Sequence, residues 1–187
     1  MLALIGIVLL GACSREPFMN TDVSGAAYGR DFRLADHNGT TRTLADFKGK
    51  VVLLFFGYTH CPDVCPTTLA EAAAAMRELG PQADRVQVLF VTVDPLRDTP
   101  ALLARYVPSF HPTFLGLHGD EQQIAKTARD FKVFSQKTPG ASAENYLIDH
   151  SAGTFIFDPE GRLRLYHGYG KGAAFLVHDI RLLLDGA

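Results

Sequence analysis

The chain has 187 residues, with 18 Lys and Arg against 20 Asp and Glu for a formal net charge of -2, 47% hydrophobic residues and three cysteines. These are the proportions of an ordinary globular domain, and they exclude a disordered tail, a collagen-like repeat, a coiled coil and a disulfide-stapled miniprotein. Near-neutral charge also lacks the basic footprint that nucleic-acid binding needs, so nucleic acid is not expected as a partner.

Residues 1–12 are uncharged and almost wholly apolar, and they run into Leu10-Gly11-Ala12-Cys13. As a helix they would reach about 18 Å, short of a ~30 Å hydrocarbon core, so they do not cross a bilayer alone. The run fits the apolar region of a secretory signal, although no positive residue precedes it, and small residues before a cysteine resemble a lipobox, in which that cysteine is lipidated. Residues 1–12 are therefore read as a signal, lipoprotein or membrane-anchor segment, with Cys13 as the lipidation site. Residues 13–30, polar and punctuated by glycine, read as a tether. Residues 31–187 remain as one folded domain, and export would place its Cys61 and Cys65 in an oxidising compartment.

Phe32 to Ala35 and Thr41 to Leu44 flank Asn38-Gly39, the pair that most readily supplies two positive φ angles, and this predicts a hairpin. Val51 to Phe56 shows no polar alternation, as expected of a strand covered on both faces, and Val86 to Val93 repeats that signature. Between them Leu69, Ala73, Met76 and Leu79 recur at helical spacing. Pro66 is placed at the first helical position and Gly80-Pro81 stops the run. A second helix is predicted from Thr99-Pro100, and a third from Asp120, where Gln123 completes a capping box ahead of Ile124, Ala128 and Phe131. Thr154 to Phe157 and Leu163 to Tyr166 surround the turn-forming Asp158-Pro159-Glu160-Gly161, and Leu176, Ile180 and Leu183 define a closing helix. The order β-α-β, helices, β-β, α is that of an α/β, thioredoxin-like fold with an added amino-terminal β-hairpin and a helical insertion.

The chemistry concentrates at Gly57-Tyr58-Thr59-His60-Cys61-Pro62-Asp63-Val64-Cys65-Pro66. This stretch joins a buried strand to a helix, so the thiols lie at the carboxyl end of the sheet, where open α/β folds place their ligands. A helix amino terminus favours the thiolate, which is both nucleophile and metal ligand. Flanking prolines at a strand-to-helix junction are poor surroundings for two packing cysteines. A purely structural disulfide here would close a very short loop and remove little unfolded-state entropy. A redox pair or a metal pair is preferred.

This motif, together with Val93-Asp94-Pro95-Leu96-Arg97-Asp98-Thr99-Pro100 and Asp149-His150-Ser151, resembles the Sco/SenC family of membrane-tethered copper chaperones from about Phe18 to the end of the chain. The resemblance implies that Cys61, Cys65 and His150 bind copper, as Cu(I), Cu(II) or both. It also implies that the protein assists assembly of the binuclear copper site of cytochrome c oxidase. Implied partners are the oxidase's copper-bearing subunit, other periplasmic copper chaperones and a membrane, with the domain on the periplasmic side of a bacterial membrane. Residue chemistry agrees, because thiolates select soft Cu(I) and imidazole suits copper in either state. Zinc fits less well, since no fourth ligand of comparable spacing accompanies the three.

His150 lies just ahead of the strand starting near Thr154, on the segment that faces the cysteine turn in thioredoxin-like folds. Asp149 is a candidate to orient its imidazole, or else a solvated acid. His60 is left unassigned among solvent-exposed neighbour, transient copper contact and outer-sphere group. His37, His111, His118, His167 and His178 show no ligand spacing and read as surface histidines. The 94–100 segment reads locally as a turn followed by a helix cap. The leading function is binding and delivery rather than enzymatic turnover. Its rival is a thiol:disulfide oxidoreductase, using Cys61 and Cys65 to reduce the copper-ligand cysteines of the oxidase subunit. A peroxidase is a weaker third reading, because it has no need of His150.

Overall fold

The computed structural model describes residues 16–139 and 145–187. Its strands are β1 (Thr21–Asp22), β2 (Leu34–Asp36), β3 (Thr41–Arg42), β4 (Val51–Gly57), β5 (Val86–Thr92), β6 (Leu115–His118), β7 (Ser135–Thr138), β8 (Leu147–His150), β9 (Thr154–Phe157) and β10 (Leu163–His167). The α-helices are α1 (Val64–Leu79), α2 (Pro100–Tyr106), α3 (Glu121–Asp130) and α4 (Ala173–Leu184). Eight strands form one sheet in the order β1-β10-β9-β4-β5-β6-β2-β3, and β7 pairs with β8 apart from it. β4, β5 and β6 run parallel, while β9 lies antiparallel to β4 and β10 antiparallel to β9.

The two unalternated apolar runs, β4 and β5, are the sheet's centre, and every residue of both is buried. Helix α1 packs on α4, and both carry the apolar stripes that the sequence spacing marks. Gly80, with φ of 57°, caps α1, and the capping box at α3 forms as expected, with Asp120 accepting from Gln123 N and Gln123 accepting from Asp120 N. Thr99 caps α2 by accepting from Leu102 N at 3.2 Å.

Several elements depart from expectation. The amino-terminal hairpin forms, but not through two positive φ angles: Gly39 alone takes one, at 85°. The Asp36 carboxylate closes the turn instead, accepting from Asn38 N, Thr40 N and the Arg42 guanidinium. Helix α1 opens at Val64 rather than Pro66, so Pro66 occupies the first turn, where its missing N–H costs no intrahelical bond. Strand β6 is an addition. Its Gly116 weakens the strand pattern, and it is needed because a Cβ there would lie 3.1 Å from Leu103 and from Val107. The insertion therefore carries β6 and the β7–β8 hairpin as well as helix α3.

The arm ahead of residue 31 is pinned where it is described. Met19 N and Asn20 N donate to the two oxygens of buried Asp179 at 2.9 and 2.8 Å, and β1 extends the sheet along β10. Residues 1–12 and Cys13 lie outside the described residues.

Candidate metal centre

Strand β4 ends at Gly57, and the chain turns through Tyr58 to Asp63 before α1 begins. This turn places Cys61 half-buried on the loop and Cys65 fully buried in the first turn of α1. The two sulfurs lie within 4.8 Å of each other, and the backbone N–H of Cys65 donates to Cys61 Sγ at 3.4 Å. Burial, reinforced by the Cys61 side chain, pushes the Cys65 thiol far above its ordinary pKa, so a thiolate there needs a cation or a base beside it.

His150 supplies that neighbour from 85 residues away, with Nε2 at 3.3 Å from Cys65 Sγ. Its Nδ1 lies 3.0 Å from the Ser151 carbonyl oxygen. A carbonyl only accepts, so Nδ1 carries the proton and Nε2 presents a lone pair to the sulfur. Burial lowers the imidazole pKa, which keeps the ring neutral and able to ligate. Phe55 and Tyr58 hold the ring edge-on, with centroids 6.0 and 5.9 Å away.

The donor atoms of Cys61, Cys65 and His150 all lie within 4.8 Å of one another, the single such group of three among the described residues. An ion with bonds of about 2.0–2.3 Å in a trigonal plane needs donors about 3.5–4 Å apart, and the Cys65–His150 separation of 3.3 Å is close to that requirement. The donor set of two sulfurs and one imidazole suits a soft ion. A cleft of about 260 Å³, bordered by Cys61, Pro62, Leu147 and His150, opens the group to solvent.

Asp149 does not orient the ring. Its carboxylate accepts from Thr138 Oγ1 at 3.0 Å, and Ser151 takes the place proposed for it. His60 also stays outside the donor group, exposed and bonded to Thr59 Oγ1 at 3.1 Å. The surface reading fails for His167, which is 2% exposed, with Nδ1 at 2.8 Å from Asn20 Oδ1 and Nε2 at 3.5 Å from Glu71.

The supports of the site carry little mark in the sequence. Asp94 and Asp98, far more than a turn and a cap, are buried carboxylates. Asp98 accepts from Thr59 N at 3.0 Å, Thr59 Oγ1 at 2.6 Å and Thr92 Oγ1 at 2.6 Å, and so fixes the cysteine loop. The signal was two acids spaced four apart beside a strand end; their burial depends on partners 39 and 52 residues away.

A dithiol at a strand-to-helix junction, faced by a tautomer-locked histidine, defines a thioredoxin-like domain whose two sulfurs and one imidazole form a donor group suited to a soft metal. The SCO1/SenC family model matches residues 20–185, and the chain belongs to that family. Mouse (Mus musculus) protein SCO2 homolog, mitochondrial, is 42% identical over 159 residues, which cover 83% of this chain and 62% of the mouse protein. The chain thus spans less than two thirds of that relative's length. Among solved structures, Bradyrhizobium japonicum ScoI with copper bound is 41% identical with a TM-score of 0.76, covering 83% of this chain and 98% of that one. Apo Sco1 from Thermus thermophilus is 42% identical with a TM-score of 0.80, covering 91% and 99%.

Proposed function

We propose that the protein binds copper through Cys61, Cys65 and His150 and delivers it to the copper-bearing subunit of cytochrome c oxidase while the binuclear site is assembled. The observation that carries this reading is the His150 Nε2 lone pair aimed at Cys65 Sγ from 3.3 Å, with the ring's other nitrogen committed to Ser151. The copper-bound ScoI relative supports the choice of ion. Loading exchanges thiol protons for the metal, and neutral imidazole is already in its ligating form. Attachment through residues 1–12 or a lipid on Cys13 would hold the domain at the periplasmic face of a bacterial membrane, near its recipient and the other copper chaperones there.

Dithiol exchange remains as a second reading because one cysteine is accessible and the other buried. In that reaction the Cys61 thiolate attacks a substrate disulfide and expels one sulfur as a thiolate. Cys65 then attacks Cys61, expelling the second sulfur. The substrate gains two electrons and the chain keeps a Cys61–Cys65 disulfide.

His150→Ala separates the two readings. Wild-type reduced protein is expected to retain near-stoichiometric copper through dialysis, with sulfur-to-metal charge-transfer bands after Cu(II) addition. The variant should lose the metal yet still form a mixed disulfide with insulin-type substrates through the accessible Cys61, a step that does not draw on the imidazole beside Cys65. Unchanged copper retention in the variant would remove His150 as a ligand, and strong disulfide reduction by a wild type that binds no copper would promote the second reading.

A further inference from the structure

The loop of residues 94–98 touches both halves of the candidate centre. On the cysteine side, Asp98 holds Thr59 through its N–H and its hydroxyl. On the histidine side, Asp94 Oδ1 accepts from Tyr146 Oη at 2.6 Å, and its other oxygen pairs with Arg97 Nε. Arg97 Nη1 donates to the Tyr146 carbonyl at 3.0 Å. The guanidinium carbon stands 3.5 Å from the Tyr146 ring centroid and 5.8 Å from that of Tyr58. Tyr58 Oη in turn accepts from Ile148 N at 3.1 Å. Asp98 N donates to the Asp94 carbonyl at 2.9 Å, so the two arms share one rigid turn.

Strand β8, which ends at His150, pairs among the described residues with β7 alone. Its partner β7 is exposed at all four residues, and the pair stands apart from the eight-stranded sheet. An isolated two-stranded hairpin is marginal in water, so its placement must be supplied from outside. Of the four β8 residues only Ile148 is buried. A fully buried carboxylate that reaches across 52 residues to Tyr146, the residue that leads from the hairpin's connecting segment into β8, does more than complete a turn.

We infer that the 94–98 loop is a strut that sets the separation between the imidazole of His150 and the two sulfurs, with Tyr146 and Arg97 as positioning residues acting through His150. The consequence for copper rests on the metal-binding reading above; the geometry does not. Retention requires the imidazole to stay beside Cys65 when the hairpin fluctuates, and the Asp94–Tyr146 bond together with the Arg97 stack restrains that fluctuation at the amino-terminal end of β8.

The test uses Tyr146→Phe, which deletes one hydroxyl and keeps the ring under Arg97. Cu(I) loss to a competing chelator should become about tenfold faster, the scale of one hydrogen bond to a buried carboxylate. In a His150→Ala background, freshly loaded with Cu(I) on the two sulfurs alone and not dialysed, the same change should have little further effect. In the metal-free protein, amide exchange at Leu147–His150 should accelerate while the first turn of α1 is unchanged. Arg97→Lys, which keeps charge but loses the fork and the stack, should reproduce the exchange pattern. Equal acceleration of copper loss in the His150→Ala background would overturn the inference, as would unaltered β8 exchange in metal-free Tyr146→Phe. If the wild type holds no copper, the metal-binding reading fails and the exchange measurement alone decides the strut.

Discussion

Gly57 closes β4 directly beneath the cysteine loop, and its lack of a side chain is a packing requirement. A Cβ at this position would lie 2.9 Å from Cys65 Sγ and 2.8 Å from ring carbons of both Phe55 and Phe90. All three neighbours are buried, at 1% exposure or less. Because its φ is not in the left-handed region, Gly57→Ala carries no backbone strain and recovers some unfolded-state entropy, about 0.4–1 kcal/mol. Against that, forcing a methyl into a filled core costs about 1–3 kcal/mol. The net loss of about 1–2 kcal/mol corresponds to a midpoint lowered by roughly 2–8 °C for a domain of this size. Calorimetry of the reduced, metal-free protein measures it. Since the methyl presses on Cys65 Sγ, the variant should also weaken metal retention, and its thermal cost should shrink in a Cys65→Ala background, where one of the three contacts is gone. A melting midpoint equal to the wild type, or a cost independent of Cys65, would refute the packing argument.

Asp98→Asn should loosen the cysteine loop: the carboxylate accepts three bonds, the amide has one acceptor oxygen, and leaving Thr59 N without a partner costs about 1–3 kcal/mol. Faster amide exchange at Thr59 together with a lower melting midpoint is the expected result, and unaltered exchange would count against the loop-holding role. Acid should destabilise the domain through His37 and His167, whose pKa values burial pushes below 6.5. Both rings stay neutral in the fold but take up protons in the unfolded chain, so stability is complete above an unfolded value of about 6.5 and falls as pH drops below it. His178 works in the opposite sense, its pKa raised by Asp179 and Glu16, but it is partly exposed and more screened. His37 Nδ1 accepts from Gly116 N at 3.0 Å, a bond that protonation breaks, so His37→Asn should flatten the pH dependence; an unchanged slope excludes His37 as a contributor.

Central strands were readable because burial on both faces leaves a mark that no competing pattern mimics: Val51 to Gly57 and Val86 to Thr92 are apolar almost throughout. Helix ends were readable where a side chain does local work, as Thr99 and Asp120 do. The position of α1's start was not, because Asp63 makes no capping bond and Pro66 fits anywhere in a first turn. Strand β6 hid behind Gly116, and the β7–β8 hairpin behind a β7 exposed on both faces, which carries no hydrophobic period at all. His167 looked like any surface histidine. Its burial follows from the arm folding back so that Asn20 reaches it, a contact across 147 residues.

The candidate centre divides in the same way. Cys61 and Cys65 declare themselves locally, whereas His150 joins the donor group only because the fold brings β8 across the cysteine turn, and resemblance alone joined them in the sequence. That division has an electrostatic counterpart. In the metal-free site burial keeps Cys65 a thiol and the imidazole uncharged. Two thiolates and a neutral imidazole with Cu(II) would carry no net charge, while Cu(I) would leave a net charge of -1. Burial therefore favours the cupric form and the softness of the sulfurs favours the cuprous one. With those preferences opposed, a single site of this composition can hold both oxidation states. Restraint of the imidazole would then govern how long either remains, since His150 is the one candidate ligand that does not lie on the cysteine turn or in the first turn of α1.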